Sequence, residues 1–89
     1  MVVIPDSVQR VGNYAFSGCS NLKSVRMPKA LKSIGNGAFR NCIGLEEMTF
    51  LEPVTEIGSW AFENCKSLKR ITLPETLKRI GEWPPVFPW

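Results

Sequence analysis

Three cysteines, Cys19, Cys42 and Cys65, recur every 23 residues, a spacing that raises metal ligation and disulfide formation. Neither chemistry has the company it needs. The chain has no histidine, no Cys-x-x-Cys pair and no second ligand type beside any cysteine, whereas structural zinc takes four ligands. An odd number of thiols cannot pair fully, and side chains stacked on adjacent rungs point the same way, which suits disulfide geometry poorly. The cysteines read as a buried ladder of small apolar side chains, and they do not reveal the redox compartment. Glu46, Glu47 and Glu56 are the carboxylates that could serve glycoside hydrolysis, which needs two carboxylates around a pocket that holds a sugar. Basic residues flank these glutamates at the repeat distance, and a flat solenoid face offers no pocket for a sugar. Serine-based catalysis lacks its histidine base, and no glycine-rich phosphate loop occurs. No catalytic, cofactor-binding or metal-binding residue is expected, and the chain reads as non-enzymatic.

Charge is organised by the same 23-residue step. Residues 20–42 carry Lys23, Arg26, Lys29, Lys32 and Arg40 with no acid, and residues 43–65 carry Glu46, Glu47, Glu52, Glu56 and Glu63 with no base. Residues 66–88 return to a net charge of +3. In register, Lys23, Glu46 and Lys69 are neighbours, as are Glu47 and Arg70, Glu56 and Arg79, Lys29 and Glu52, and Arg40 and Glu63. Opposite charges face each other except at Glu52 and Glu75. Such columns fix rung order, each pair contributing only about 0–1 kcal/mol. The acidic band also interrupts any phosphate-binding stripe, so the chain is not expected to bind nucleic acid despite a pI near 9.0.

The elements that position these residues follow from the repeat. Gly12, Gly35, Gly58 and Gly81 share the period with Ala15, Ala38 and Ala61, with Phe16, Phe39 and Phe62, and with Leu22, Leu45 and Leu68. A period in the low twenties suits one strand, a turn and one short helix per coil of a solenoid. Leu22-x-x-Val25-x-Met27 and its copies at Leu45 and Leu68 end in the alternation of a strand with one buried face. Pro5, Pro28 and Pro74 close these strands. In the third coil Leu51 takes that slot and the proline follows at Pro53, so that turn must differ locally. A weaker extended segment, Val8 to Val11 and its copies, ends at the glycine column. Asn13, Asn36 and Ser59 then read as N-caps of a helix about one turn long, and Gly18, Asn41 and Asn64 as its left-handed C-terminus. The 89 residues with a net charge of +3 read as one small domain, in which no signal peptide is expected and no apolar run is long enough to span a membrane as a helix.

The unit V-x-x-[VI]-G-[NS]-x-A-F-x-[GN]-C-x-x-L-x-x-[VMI]-x-[MFL]-P resembles the leucine-rich repeats of the BspA-like type over residues 2–81. The resemblance implies an α/β solenoid of about 3.5 coils, with a parallel sheet on one face and short helical turns on the other. It further implies adhesion and protein recognition without catalysis or cofactor, and a secreted or cell-surface location in long repeat arrays. The solenoid covers residues 1–81, as an incomplete first coil 1–19, coils 20–42 and 43–65 and a partial coil 66–81. Residues 82–89 form a Trp/Pro-rich tail. There Pro84 and Pro85 replace the expected Ala-Phe, and the tail reads either as an improvised cap over the open core or as a boundary without a selected role. Pro85-x-x-Pro88 also formally matches an SH3-type ligand.

Solenoids bind through an extended face of side chains held on a rigid backbone. The solvent side of the strands presents Ser24, Glu47 and Arg70 in one column and Arg26, Thr49 and Thr72, with Val3, in the next. These are the candidate partner contacts, and a host or extracellular-matrix protein is the expected partner. Tyr14, Gly37 and Trp60 form a further column, readable as a second contact patch or as packing at the edge of the turn. The outer edges invite end-to-end self-association. The chain then reads as a fragment of a larger surface array; the alternative is a structural spacer with no partner of its own.

Overall fold

A computed structural model describes residues 2–51 and 53–82. Each coil contributes two short strands: β1 (Val2–Val3) and β2 (Arg10–Val11), β3 (Val25–Arg26) and β4 (Ser33–Ile34), β5 (Glu47–Thr49) and β6 (Glu56–Ile57), β7 (Arg70–Thr72) and β8 (Arg79–Ile80). All pairings are parallel and join equivalent positions one repeat apart, as in Ser33 with Glu56 and Glu47 with Arg70. This is a repeat solenoid, since each coil pairs with the next at the 23-residue offset.

The two strand columns exchange the importance expected of them. The weaker segment builds the continuous sheet, β2-β4-β6-β8, whereas the alternating segment is divided into β1-β3 and β5-β7. The division falls where the proline is displaced. In the second coil the Ala30 N–H donates to the Asp6 carbonyl at 3.2 Å. Pro53 occupies the equivalent place in the third coil and has no N–H to repeat that bond. The local turn itself survives, because Val54 N–H still reaches the Leu51 carbonyl at 3.1 Å, as Leu31 N–H reaches Pro28 at 3.3 Å.

No helix forms among the described residues, which corrects the expected helical turn. In the first coil Tyr14, Phe16 and Gly18 donate sideways to the carbonyls of Asn36, Ala38 and Arg40 at 2.9, 2.8 and 2.8 Å. The alternate amides of Ala15, Ser17 and Cys19 turn back three residues, to Gly12, Tyr14 and Phe16, at 3.3, 3.1 and 3.2 Å. The second coil repeats the scheme with Gly37, Phe39 and Asn41 donating sideways. An α-helix would aim all of these amides along its own axis, so they could not alternate between the segment itself and the neighbouring coil.

Left-handed residues at both ends of the segment enforce the alternation. Gly18, Asn41 and Asn64 have φ of 80°, 63° and 61°, as their residue types predict; Tyr14, Gly37 and Trp60, with φ of 57°, 60° and 56°, form a second left-handed column. For Tyr14 and Trp60 that conformation costs on the order of 1–2 kcal/mol. Asn13, Asn36 and Ser59 do cap backbone amides, but those of the next coil. Asn13 Oδ1 accepts from Asn36 N–H at 2.8 Å, Asn36 Oδ1 from Ser59 N–H at 2.9 Å, and Ser59 Oγ from Glu82 N–H at 3.1 Å.

Inside the coils the repeated apolar positions stack on their copies. Phe16 lies 5.2 Å from Phe39 and Phe39 5.6 Å from Phe62, ring centroid to centroid, within 3° of parallel. Phe50 meets Phe62 edge-on at 5.8 Å. Phe39, Leu31, Leu45 and Cys42 are wholly buried, while exposure rises to 40% at Leu73 and Ile80. Burial is deepest in the middle coils because each coil is covered only by its neighbours.

The glycine column marks the closest approach of successive coils. A Cβ on Gly58 would fall on the backbone of Gly35 and Asn36, which cannot swing aside, whereas one on Gly12 would meet nothing within 4 Å. Gly58→Ala should therefore lower the unfolding free energy by about 1–3 kcal/mol. Gly12→Ala should leave it within about 0.5 kcal/mol of wild type. Urea unfolding followed by circular dichroism distinguishes the two.

Candidate recognition surface

Alternation on the first strand column turns Met48 and Ile71 inward and leaves Glu47, Thr49, Arg70 and Thr72 facing solvent. Because β5 and β7 pair in register, Glu47 lies beside Arg70 and Thr49 beside Thr72. Arg70 Nη1 comes to 3.9 Å from Glu47 Oε2, with both side chains well exposed. Arg26 is exposed on β3, and Ser24, just before that strand, is half-buried. Four of the six candidate contacts thus share one paired face. Arg26 and Ser24 stand across the division between β3 and β5, where Arg26, Met27, Lys29, Thr49 and Leu51 are among the residues lining a cleft of about 220 Å³.

The other charge columns divide according to the reach of their side chains. Arg40 Nε is ion-paired with Glu63 Oε1, and Arg79 Nη1 is 3.7 Å from Glu56 Oε2. In the Lys23–Glu46–Lys69 column the register is carried by the backbone. Glu46 N–H reaches the Lys23 carbonyl at 3.1 Å, and Lys69 N–H reaches that of Glu46 at 2.8 Å. Glu52, the expected partner of Lys29, and residues 83–89 of the tail lie outside the described residues, as do the cap, boundary and SH3-ligand readings placed on that tail. Lys29 N–H is 3.3 Å from Asp6 Oδ1, joining the first and second coils at this point.

Two further surfaces stand apart from the strand face, the second of them on the Tyr14, Gly37 and Trp60 column. A channel of about 490 Å³ follows the continuous sheet, with Arg10, Ser33, Glu56 and Arg79 on its wall and the glycine column along its floor. Its signal in the sequence was the glycine column itself, which removes a row of side chains beside a row of polar ones. On the turn side, Tyr14 and Trp60 are 53% and 41% exposed, with the Tyr14 ring set against Gly37. The glycine at its middle place, Gly37, was the visible sign of its left-handed backbone.

The cysteine ladder is polar as well as apolar. Cys42 Sγ donates to the Phe16 carbonyl and Cys65 Sγ to the Phe39 carbonyl, each at 3.1 Å. Each thiol thereby satisfies a carbonyl of the preceding coil. Burial pushes the Cys42 thiol up to about 11 and the Cys65 thiol up to about 12, with the preceding thiol in the column adding a smaller push. Both are held protonated at neutral pH, and all three cysteines are free. Among the described residues, no three Cys, Asp or Glu side chains gather as a metal site would require.

Raised thiol pKa values set a direction for the pH dependence of folding. The folded state disfavours the thiolate, so this contribution is fully present below the ordinary thiol pKa of 9.0 and is lost as the pH rises through about 11. Urea midpoints should fall as the pH climbs above about 9. In the Cys42→Ala/Cys65→Ala variant the fall should be shallower, and parallel curves for the two proteins would contradict the assignment.

The family profile described as BspA type leucine-rich repeat region (6 copies) matches residues 1–84. No curated protein and no solved structure shows significant similarity to the chain. The glycine, Ala-Phe and cysteine columns that organise the coils lie within the matched span, and the chain belongs to the BspA-type leucine-rich repeat family.

Proposed function

We propose that the chain is a non-enzymatic protein-recognition module, one piece of a longer adhesive array displayed at a cell surface or secreted, whose strand face takes an extracellular-matrix or other host protein. The observation that carries this reading is the paired β5–β7 face, which holds Glu47, Thr49, Arg70 and Thr72 outward in register above the inward-facing Met48 and Ile71. Neighbouring hydrogen-bonded strands fix those side chains before a partner arrives, so little ordering is left to oppose binding. Ser24 and Arg26 extend the surface toward the second coil. Alternating basic and acidic bands favour a partner of complementary banding and give association a salt dependence.

Membership of a repeat family associated with protein interaction supports the same conclusion. The spacer alternative predicts no partner for this face, and one experiment separates the two. Immobilised extracellular-matrix proteins should capture the wild-type chain, and Arg26→Ala/Glu47→Ala/Arg70→Ala should weaken capture by about ten-fold or more. Unchanged attachment of the triple variant, or no attachment of wild type to any of them, would overturn the recognition reading.

End-to-end self-association belongs to the same picture. Val2 and Val3 on β1 are 37% and 55% exposed, and β1 is an outer strand of its pair. An unpaired parallel edge of this kind accepts another strand. Light scattering behind size exclusion should show a mass that rises with concentration. A constant monomer mass would count against stacking of free chains.

A further inference from the structure

We propose that the turn side of the solenoid carries a second site, between Tyr14 and Trp60, that binds a neutral saccharide. It is independent of the strand-face reading and lies on different residues. Its first warrant is the combination of strain with exposure. The column of Tyr14, Gly37 and Trp60 has a left-handed backbone throughout, a conformation that glycine adopts without penalty. The first and third coils nevertheless place there the two amphipathic aromatic types, and leave them 53% and 41% exposed. Backbone strain of this kind clusters at functional sites, and both rings keep a large solvent-facing surface.

Geometry turns the two aromatics into a site. Gly37 leaves the middle rung without a side chain, and a Cβ there would run into the Tyr14 ring. The ring therefore lies over that rung, toward the third coil. Tyr14, Arg40, Trp60 and Glu63 line a cleft of about 370 Å³, within the range of small-ligand pockets. Arg40 and Glu63 each follow a phenylalanine of the parallel-stacked column, Phe39 and Phe62, so the polar wall of the cleft is anchored in the core.

The chemistry of the lining selects the ligand class. Arg40 Nε is engaged by Glu63 Oε1, a contact that does not use the terminal guanidinium N–H groups or Glu63 Oε2, and both side chains are partly exposed on the wall of the cleft. The pair has no net charge, so an anion gains at Arg40 what it loses at Glu63, and a cation the reverse. What fits is a neutral molecule offering both hydrogen-bond donors and acceptors beside an apolar C–H face. A hydroxyl does both, and a sugar ring presents adjacent hydroxyls at its rim and C–H bonds on its faces. Tyr and Trp supply the flat apolar surface against which such a face lies. A proline-rich peptide also suits aromatic grooves, but proline has no N–H, so Glu63 would go unmatched.

The test is a printed array of neutral oligosaccharides, maltotriose, cellotriose, lactose and chitotriose, alongside sialylated and sulfated glycans and a proline decamer. Wild type should bind at least one neutral oligosaccharide in preference to the charged glycans and the decamer. Tyr14→Gly and Trp60→Gly adopt the residue the second coil already carries in this column, so both should fold, as circular dichroism will check. Each should weaken binding by about ten-fold or more, and Glu63→Ala should also reduce it. The strand-face variant Arg26→Ala/Glu47→Ala/Arg70→Ala should bind the sugar as wild type does. Retention of no neutral sugar, preference for a charged glycan or the decamer, or undiminished binding by folded Tyr14→Gly and Trp60→Gly would each overturn the proposal.

Discussion

Every coil of this protein is held by backbone hydrogen bonds running along the solenoid axis, and the demand for those bonds decides the local structure of each segment. A coil has only one N–H per residue to spend. In the turn segments alternate amides go sideways to the next coil and the others turn back three residues. A helix cannot satisfy that division, because it points successive amides the same way along its own axis instead of alternating them. The left-handed residues at the two ends of each turn are what the alternation requires of the backbone, and the stacked phenylalanines fill the space beneath it.

The same demand explains why the continuous sheet is the less conspicuous strand column. Its glycines let coils approach until Gly35, Gly58 and Gly81 donate to Val11, Ile34 and Ile57 at 2.8, 2.9 and 2.8 Å. Threonines reinforce the stacking beside it. Thr76 Oγ1 donates to the Val54 carbonyl at 2.7 Å, and Thr55 Oγ1 approaches that of Lys32 at 3.4 Å. In the other column, one missing amide at Pro53 coincides with loss of pairing between β3 and β5. A solenoid concentrates its stability in nearest-neighbour contacts, and the second and third coils remain joined there through β4 and β6.

Side chains left over from this scheme define the surfaces. Asparagines and thiols that a sequence scan would nominate for binding or reactivity are used internally, closing amides and carbonyls of adjacent coils. What remains outward is the strand grid, with its alternating charge, and the pair of aromatics on the turn side. The exposed ion pairs Arg70–Glu47 and Arg79–Glu56, 3.9 and 3.7 Å across, add little to stability.

Periodicity alone determined a great deal: the solenoid, the 23-residue register, the inward set of Phe, Leu, Cys and Val/Ile/Met columns, and the outward placement of Glu47, Thr49, Arg70 and Thr72. Those features depend on residue type and spacing, and both are written in the chain. The left-handed backbone at Gly18, Asn41 and Asn64 was legible for the same reason. The fate of the amides was not, because a turn of Asn-x-Ala-Phe can close on itself as a helix or open toward a neighbour, and only the neighbour's carbonyls decide. From that one choice follow the absence of the expected helix, the asparagine ladder, the strained aromatics at Tyr14 and Trp60, and the cleft between them.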